Sequence, residues 1–449
     1  MSKDGEKQQI IETSKIIWEN NLYEQYYNPE TKETGFIGLS TDKQELLKHD
    51  CIEDLATKYA PINDDLLQKG AVLLPFDAID YHSNQDLEKE IDAFIKKWLD
   101  ISDIHRKTAV WYVMLSWVGD NLNTIPYLRA LGDYGTGKTR YLDVIGGICY
   151  KPMFIGGSVR SAPIYRVIDL WRGTAIFDEF TLQKSDETQD IIQILNNGYQ
   201  RGKPVLRCKD GDYSKVECFD PFGAKILASR KEFYDKALES RCITEILKQT
   251  SRQDIPIDFT TEFYKQRTEL QNKLLMYRLK NYALVKTDDT VNIDFGQIQP
   301  RLKQTFHPFT VLFQHNKKTL EEFIQQIQGY NSDLVDTNSE TMDGAIINGY
   351  LENLSYYEYK SETPITAQDI QTTMQNDGWK EDKLNVRTIG KHLKTLGFNT
   401  IPKFIDNKTK RVIQIDEKQL KQLITRYVPT EKQKEIVDKI SNMQTKIIT

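Results

Sequence analysis

The pattern with the clearest chemical meaning lies between positions 132 and 139. These eight residues read Gly-Asp-Tyr-Gly-Thr-Gly-Lys-Thr, a match to the phosphate-binding loop G-x-x-x-x-G-K-[ST]. Glycines let such a loop fold around a phosphate chain and point backbone N–H groups at it. Lys138 is predicted to reach the β- and γ-phosphates, and Thr139 to hold Mg²⁺ through its hydroxyl. The predicted cofactors are therefore ATP and Mg²⁺, and the predicted loop residues are Gly132, Asp133, Tyr134, Gly135, Thr136, Gly137, Lys138 and Thr139.

A second chemical pattern is a pair of acids, Asp178 and Glu179, directly after an apolar run that begins at Thr174. Such a run is typical of a buried strand, and carboxylates at its carboxyl end lie at the sheet edge where ligands bind. Asp178 is predicted to hold Mg²⁺ through water, and Glu179 to orient and deprotonate the attacking water. The alternative is a solvated strand end with no part in phosphate chemistry.

Three further residues are candidates for contact with the terminal phosphate. Ser229 ends a short apolar strand, where a hydroxyl could hold the attacking water or touch the γ-phosphate. Arg241 follows a short helix and is predicted to reach into the nucleotide site of a neighbouring subunit, neutralising charge on the transferring phosphate. The alternative for Arg241 is a surface arginine paired with Glu239 or Asp235. Arg301, at the start of a later helix, is a candidate second arginine sensor.

These residues require a scaffold of alternating strands and helices. The run before the loop reads as a strand and the run after it as a helix, and short strands and helices then alternate to about residue 229. Such alternation predicts a parallel sheet flanked by helices, an α/β fold. Trp111, Tyr112 and Trp117 fall in an apolar helix and are predicted to be core residues rather than ligand contacts.

Two basic elements are candidates for DNA contact. A β-hairpin turning at Asp210-Gly211 is inserted after the acidic strand, and its cations would grip phosphate backbone. Near the C-terminus, the predicted order helix, helix, strand, turn, strand is that of a winged helix, which docks a helix in the major groove. Winged helices also bind proteins, so that alternative stays open. The candidate DNA-binding residues are Arg207, Lys209 and Lys215 in the hairpin, and Arg387, Lys391, Lys394, Lys408, Lys410 and Arg411 in the C-terminal module.

Composition bounds the class of protein. The chain has 449 residues, 28% charged, with a net charge of −5. Between positions 380 and 428, however, the sequence contains twelve Lys or Arg and five Asp or Glu, which gives a local charge of +7. This asymmetry is typical of a nucleic-acid-binding module attached to a larger protein. Five scattered cysteines without metal-ligand spacing indicate no zinc site, and no apolar run is long enough to cross a membrane, so a cytoplasmic protein is predicted.

The sequence predicts five regions. Residues 1–90 form a small, mainly helical accessory region, with a helix over Ile10 to Leu22 and a hairpin over Tyr26 to Leu39. Residues 91–330 form the ATPase domain with a helical lid. Residues 331–364 are a helical connector and linker, with an acidic loop from Asn331 to Asp343. Residues 365–428 form the winged helix, and residues 429–449 a C-terminal tail helix.

Taken together, these motifs resemble those of the AAA+ ATPases. The inserted hairpin and the C-terminal winged helix are similar to those of the minichromosome maintenance helicases, and more narrowly to the MCM-like replicative helicases of mobile elements and phages. Members of that family form hexameric rings, hydrolyse ATP between subunits and pull single-stranded DNA through the channel. The resemblance implies an ATP-dependent DNA helicase that binds single- and double-stranded DNA, with a primase or initiator protein as a further partner. Ser229 departs from the family, in which Asn is usual.

Two other functions remain open at this point. The first is an ATP-switched replication initiator or loader that binds origin DNA without unwinding it. The second is a regulatory AAA+ ATPase that remodels protein partners, for which the basic C-terminal module should show no salt-sensitive affinity for DNA.

Overall fold

The structure is a computed structural model, and it describes residues 8–40, 42–156, 160–178, 186–209, 212–285, 293–313, 316–356, 365–379, 384–405 and 407–445. The chain divides into two compact units. The first comprises residues 1–293 and 304–317, and the second comprises residues 294–303 and 318–449. None of the described helices is long and apolar enough to span a bilayer.

The N-terminal part of the first unit is built of strands, so the prediction of a mainly helical region is wrong. Two sheets form, in the orders β1-β7-β6 and β2-β3-β4-β5. The predicted hairpin over Tyr26 to Leu39 is confirmed as the antiparallel pair β3–β4. A single short helix, α1 (Asp65–Gln68), follows the sheets. The strands are β1 (Gln9–Thr13), β2 (Lys15–Trp18), β3 (Asn21–Tyr27), β4 (Thr34–Leu39), β5 (Leu46–His49), β6 (Ile52–Glu53) and β7 (Thr57–Pro61).

In place of the predicted helix over Ile10 to Leu22, the chain forms β1, which pairs with β7, and then β2, which a tight turn joins to β3. Glu19 and Asn20 both have positive φ, 49° and 63°, and Trp18 pairs with Asn21 across them. Two consecutive left-handed residues form the kind of turn that joins antiparallel strands with the correct twist. The isoleucines then alternate, Ile16 buried and Ile17 exposed, as on a strand with one face covered.

Two long helices precede the central sheet along the chain. Ser83 caps α2 (Asn84–Trp98) and Ser102 caps α3 (Asp103–Val118) through side-chain bonds to backbone N–H groups. α3 is apolar on nearly all sides because it is buried along most of its length. The predicted core residues Trp111, Tyr112 and Trp117 are confirmed as buried.

The central sheet has five parallel strands in the order β14-β8-β13-β10-β9. This confirms the predicted α/β sheet with flanking helices. All five strands are short and mostly apolar, as expected for strands covered on both faces. The strands are β8 (Tyr127–Leu131), β9 (Pro152–Ile155), β10 (Thr174–Phe177), β13 (Lys225–Ser229) and β14 (Cys242–Ile246).

Helices and one hairpin connect and cover these strands. The antiparallel strands β11 and β12 form the inserted hairpin at the predicted place, although the turn residues Asp210 and Gly211 lie outside the described residues. The elements are α4 (Lys138–Tyr141), α5 (Ser161–Trp171), α6 (Asp186–Gly198), β11 (Val205–Lys209), β12 (Asp212–Phe219), α7 (Lys236–Glu239) and α8 (Thr261–Asn281).

A buried ionic network ties the N-terminal strands to the helices of the same unit. Glu24 of β3 is 1% exposed, and its carboxylate contacts Arg278 of α8 at 2.7 Å and Lys151 at 2.8 Å. Arg278, itself fully buried, also contacts Asp120 at 2.8 Å, and Asp120 contacts Lys15 of β2 at 2.7 Å. Burial raises the pKa of Glu24, but Arg278 and Lys151 outweigh it and hold that pKa below its ordinary value. The N-terminal strands are therefore an integral part of the first unit.

We expect Glu24→Gln to lower the free energy of unfolding by about 3 kcal/mol, because the change removes the carboxylate that pairs with buried Lys151 and leaves buried Arg278 with Asp120 as its remaining described carboxylate partner. Urea denaturation followed by circular dichroism measures this. The exposed Glu12 of β1 is the matched control, and Glu12→Gln should change stability by less than about 0.5 kcal/mol. Because the folded-state pKa of Glu24 is depressed, its stabilisation should be present above its unfolded pKa and be lost as the pH falls through the folded pKa. Equal stability of the two variants would contradict the assignment.

Among the described residues, the second unit is helical apart from one hairpin. Its long helix α10 (Lys317–Ser339) runs to Ser339, so the predicted acidic loop from Asn331 to Asp343 is wrong over most of its length. Phe323, Ile327 and Val335 recur at helical spacing and are buried, and polar Asn331 lies on the same buried face, where its side-chain oxygen accepts a hydrogen bond from the backbone N–H of Gln299 at 3.1 Å. The elements are α9 (Pro300–Phe306), which begins in this unit, α10 (Lys317–Ser339), α11 (Met342–Tyr356), α12 (Ala367–Asn376), α13 (Val386–Thr395), β15 (Asn399–Ile405), β16 (Lys408–Gln414), α14 (Glu417–Tyr427) and α15 (Thr430–Thr445).

The C-terminal module has the predicted order helix, helix, strand, turn, strand. Thr366 caps α12 in a capping box with Asp369, and Asn385 caps α13. Gly397, at φ 91°, ends the second helix, and β15 and β16 pair antiparallel through a turn with Asn407 at φ 61°. The module shares one apolar core with α11, α14 and α15. The segment 357–364, part of the predicted linker, lies outside the described residues.

Candidate functional site

The predicted phosphate loop connects β8 to α4 at the carboxyl edge of the parallel sheet. Gly135 and Gly137 have φ of 71° and 88°, a region that other residues rarely adopt, so the two glycines set the loop's curvature. At Gly132 the constraint is space, since a Cβ atom would lie 2.6 Å from the Thr136 hydroxyl. The structure thus requires glycine at each of the three glycine positions of the loop.

Lys138, the first residue of α4, turns its side chain back into the loop. The ammonium donates to the backbone oxygen of Asp133 at 2.6 Å, and the hydroxyl of Thr136 donates to the same oxygen at 2.9 Å. The lysine is buried, and its ammonium donates to this neutral carbonyl rather than to a charged group. Phosphate oxygens would be stronger acceptors for a buried ammonium than a carbonyl, because both partners would be charged. The loop therefore fits a nucleotide phosphate chain.

The hydroxyl of Thr139 donates to a carboxylate oxygen of Asp178 at 2.9 Å. The sheet makes this contact possible, because β13 lies between β8 and β10, and the two flanking strands end at the same edge. Hydroxyl and carboxylate oxygens are ligands that Mg²⁺ accepts, so this pair fits the ion. Glu179, the predicted general base, lies outside the described residues, so its role stays a prediction.

Ser229 lies at the end of β13, between the loop strand and the acidic strand. Its carbonyl accepts a hydrogen bond from the backbone N–H of Gly132 at 3.2 Å, which fixes the strand end against the loop. Its side chain is 2% exposed, and its hydroxyl has no hydrogen-bond partner among the described residues. An unsatisfied buried hydroxyl costs about 1–3 kcal/mol, so a ligand oxygen or a water is the expected partner.

Arg230 is a residue of the site that the sequence reasoning missed. Its guanidinium lies 3.6 Å from the ring centroid of Tyr134, and it donates a hydrogen bond to the hydroxyl of that tyrosine. Tyr134 belongs to the phosphate loop and is 65% exposed. A second cation besides Lys138 therefore contacts the loop. The signal in the sequence was an arginine directly after Ser229, at the end of the middle strand.

Asp143 is close enough to Asp178 for the two carboxylates to interact electrostatically. It lies four residues after Thr139, where the helix changes from α4 to a π-turn over Leu142–Gly146. Burial raises the pKa of the Asp143 carboxyl, Arg267 opposes that rise, and the nearby Asp178 carboxylate adds to it. π-turns often occur at functional sites. The irregular helix brings a third oxygen-bearing side chain, besides Thr139 and Asp178, to this region.

Two contacts fasten α4 to the rest of the first unit. Arg140 donates to the backbone oxygens of Trp98 at 3.2 Å and Pro256 at 2.8 Å. The imidazole of His105 in α3 shares a hydrogen bond of 2.7 Å with the hydroxyl of Tyr141. Burial lowers the pKa of His105 to about 3, so the ring is neutral in the ordinary pH range. Both contacts position the loop's helix rather than its ligand.

Arg241 lies just before β14, at the amino edge of the sheet, opposite the phosphate loop. Its guanidinium is 5.2 Å from the ring centroid of Tyr199, and its side chain is half-buried. The two acids named as alternative partners have other contacts: Glu239 pairs with Arg129, and Asp235 caps α7. Arg241 thus lies away from the phosphate loop of its own chain. This position is compatible with an arginine that acts on the nucleotide of a neighbouring subunit.

Arg301 belongs to the second unit, in the first turn of α9. The side chain is half-buried there. Its predicted role as a second arginine sensor stays a prediction.

The inserted hairpin presents its cations unequally. Arg207 is held by the first unit, since it contacts Asp190 of α6 at 3.4 Å and lies 5.5 Å from the ring centroid of Tyr165. Lys209 and Lys215 are exposed. DNA contact by these three residues stays a prediction, and Arg207 would have to exchange its carboxylate partner for a phosphate.

The C-terminal module exposes the predicted basic residues on α13 and on the hairpin β15–β16. On α13, Ile389 and Leu393 face the core, which leaves the opposite side of the helix to the cations. Helix and hairpin therefore offer adjacent basic elements of one small module. The exposed residues are Arg387, Lys391 and Lys394 on the helix and Lys408 and Arg411 on the hairpin, whereas Lys410 is half-buried.

Comparison with known proteins adds little to this geometry. The sequence matches no protein-family model and no curated protein. Among solved structures it is similar to the NrS-1 C-terminal region (11% identity, 88% of this chain and 97% of that chain, TM-score 0.37). It is also similar to the SCCmec type IV Cch active helicase (10% identity, 91% and 98%, TM-score 0.35) and to the JCV helicase (14% identity, 54% and 62%, TM-score 0.24). Similarities at this level carry no argument about function.

Proposed function

We propose that the chain is an ATPase whose nucleotide site is the loop from Gly132 to Thr139. The observation that carries the proposal is the 2.9 Å hydrogen bond between Thr139, in the helix α4 that follows the loop, and Asp178, directly after the end of β10. A phosphate loop alone indicates phosphate binding, whereas this pair would supply two oxygen ligands for Mg²⁺ beside it, which supports nucleotide hydrolysis. The bound metal would neutralise charge that develops on the phosphates.

The residues of the chain then have distinct tasks. Lys138 binds the β- and γ-phosphates, because its buried ammonium already points into the loop. Thr139 and Asp178 hold the metal. Glu179 accepts the proton of the attacking water, and Ser229 orients that water through its hydroxyl, which has no hydrogen-bond partner among the described residues. Arg230 is a second positive charge that contacts the same loop.

We further propose that hydrolysis drives movement along DNA, as in a ring-shaped replicative helicase. Two features support this: the exposed cations of the C-terminal module, and the position of Arg241 at the sheet edge opposite the loop. An arginine so placed serves a neighbouring subunit's nucleotide, which requires a closed ring or another head-to-tail assembly. A hexamer matches the resemblance to MCM-like helicases of mobile elements and phages.

The test combines two measurements on the full chain. ATP hydrolysis is measured with and without single-stranded DNA, and strand displacement is measured on a partial duplex. We expect DNA to stimulate hydrolysis and ATP to drive displacement. DNA-stimulated hydrolysis without displacement would instead support an initiator or loader. A rate of ATP hydrolysis that DNA does not change, together with no salt-sensitive affinity for DNA, would support a protein-remodelling ATPase and contradict the helicase proposal.

A further inference from the structure

A buried ion pair fastens the stretch of chain that ends in Arg241. Residues 229–241, called here the connecting segment, leave β13 at the carboxyl edge of the sheet and return to the amino edge, where β14 begins. The helix of this segment, α7, is four residues long. A helix of one turn is not stable by itself, so contacts with the rest of the unit must hold the segment in place.

Arg129, in the middle of β8, supplies the strongest of these contacts. It is 1% exposed, and its guanidinium donates two hydrogen bonds to the carboxylate of Glu239 in α7, one of them at 2.5 Å. Its Nε atom donates to the hydroxyl of Thr244 in β14 at 3.1 Å. Burial lowers the pKa of Arg129, but the hydrogen bonds to Glu239 are the largest opposing influence, and that pKa lies above its ordinary value. A charged pair with two parallel bonds fixes the orientation of its partners as well as their distance.

The same carboxylate also holds an earlier point of the connecting segment. One oxygen of Glu239 accepts a hydrogen bond from the backbone N–H of Phe233 at 2.9 Å. The ring of Phe233 is buried, and its centroid lies 4.9 Å from the guanidinium carbon of Arg129. Arg129 and Glu239 therefore fasten two points of the segment, six residues apart, to the strand that leads into the phosphate loop.

Arg241 follows Glu239 by two residues, so the position of α7 determines where this arginine begins. Its backbone N–H donates to the carbonyl of Leu238 in α7 at 3.0 Å, and Leu238 is fully buried. Its own carbonyl accepts a hydrogen bond from the N–H of Tyr127 in β8 at 3.0 Å. The backbone of Arg241 thus has two supports, α7 and β8, and the ion pair joins them. We propose that the pair Arg129–Glu239 positions Arg241 for the nucleotide of a neighbouring subunit.

This inference rests on the proposed function, in which Arg241 serves a neighbouring site, and deepens it by naming the residues that position the arginine. The test is Glu239→Gln in the full chain. Glutamine has a similar shape and can still accept the hydrogen bond from Phe233, but it has no charge with which to hold Arg129. We expect turnover to fall by about 10–100-fold, the effect of a misplaced catalytic group, while the affinity for a fluorescent ATP analogue stays at the parent value.

Two further variants separate positioning from folding. Glu232→Gln changes an acid of the same segment whose side chain is largely exposed and pairs with Lys236 at the surface, so it should turn over at the parent rate. Arg129→Met combined with Glu239→Gln removes the buried cation together with its partner, which avoids the cost of an unpaired buried charge. This double variant should melt near the parent temperature and still show the loss of turnover.

Mixing subunits shows in which site the defect lies. A Glu239→Gln subunit keeps its own phosphate loop, so it should regain hydrolysis beside a Lys138→Ala subunit, which supplies a correctly positioned Arg241. It should regain none beside an Arg241→Ala subunit, because neither partner then supplies that arginine. Recovery with Lys138→Ala alone supports the inference. Recovery with Arg241→Ala, or none with Lys138→Ala in assemblies shown to exchange subunits, would overturn it.

The outcomes also distinguish this inference from the proposed function. If Arg241→Ala itself hydrolyses ATP at the parent rate, the proposed role of Arg241 in a neighbouring site fails. If Arg241→Ala is inactive and Glu239→Gln turns over at the parent rate, only the positioning assignment is overturned. Loss of ATP-analogue binding by Glu239→Gln would place the defect in the phosphate loop of its own chain and would overturn that assignment as well.

Discussion

Replacing Lys138 with alanine should abolish ATP hydrolysis while leaving the chain folded. The ammonium is the buried charge inside the loop, and its acceptor there is a carbonyl of the loop itself. Removing it takes away a preorganised cation at the phosphates, a loss of roughly 10²–10³-fold or more in turnover. Phosphate release under saturating ATP measures the effect, and binding of a fluorescent ATP analogue shows how much affinity is lost with it.

The matched control for Lys138→Ala is Lys69→Ala. Lys69 is exposed and pairs only at the surface, with Asp65 one helical turn away. Its removal should leave hydrolysis within error of the parent rate, since exposed pairs contribute little. A Lys138→Ala protein that hydrolyses ATP at the parent rate would show that the loop is not the catalytic nucleotide site.

Replacing Arg241 with alanine should leave ATP binding intact and reduce turnover by about 10³-fold or more, the effect of losing an arginine that acts on the transferring phosphate. The position of the residue accounts for this separation. It lies at the amino edge of β14, whereas its own chain's loop lies at the carboxyl edge of the sheet. Lys236→Ala, on α7 beside it and with a largely exposed side chain, is the matched control and should turn over normally.

Mixing two inactive proteins tests whether Arg241 acts in a neighbour. Lys138→Ala subunits retain Arg241 and Arg241→Ala subunits retain the loop, so a mixed assembly contains complete sites at some subunit boundaries. We expect partial recovery of hydrolysis on mixing. No recovery, in assemblies shown to exchange subunits, would place Arg241 in its own chain's site or in a structural role on Tyr199. Two measurements test the structural role on Tyr199: the activity of Arg241→Lys, because lysine keeps the charge, and the thermal melting of the variants.

Much of the site was predictable from sequence because its parts are local. The curvature of the loop follows from glycines at fixed spacing, and the acidic strand is visible as an apolar run ending in Asp178. The caps of α12 and α13 are also local, since Thr366 and Asn385 bond to backbone groups three residues away. Interactions within one turn of the chain depend on few residues, so a single sequence indicates them.

Other predictions failed where neighbouring residues give an ambiguous signal. The N-terminal isoleucines occur at spacings that suit a helix, but Ile10 and Ile11 pair with the distant strand β7, and Ile16 and Ile17 pair with β3 across the left-handed turn at Glu19 and Asn20. The polar stretch after Asn331 resembles a loop in sequence, because it has few apolar residues. Val335 and the others form a helix face only when another surface of the protein covers them. In both cases tertiary packing decided between two local conformations of similar energy.

By itself the sequence determined the phosphate loop, its strand and helix, the acidic strand and the basic C-terminal module. Only the tertiary structure decided which side chains meet. Arg230 and Tyr134 are 96 positions apart, and Glu24 and Arg278 are 254 apart, yet each pair is in contact. The reason is physical: a motif is set by backbone conformation over a few residues, whereas a contact between distant residues depends on the order of strands in a sheet and on which groups are buried together.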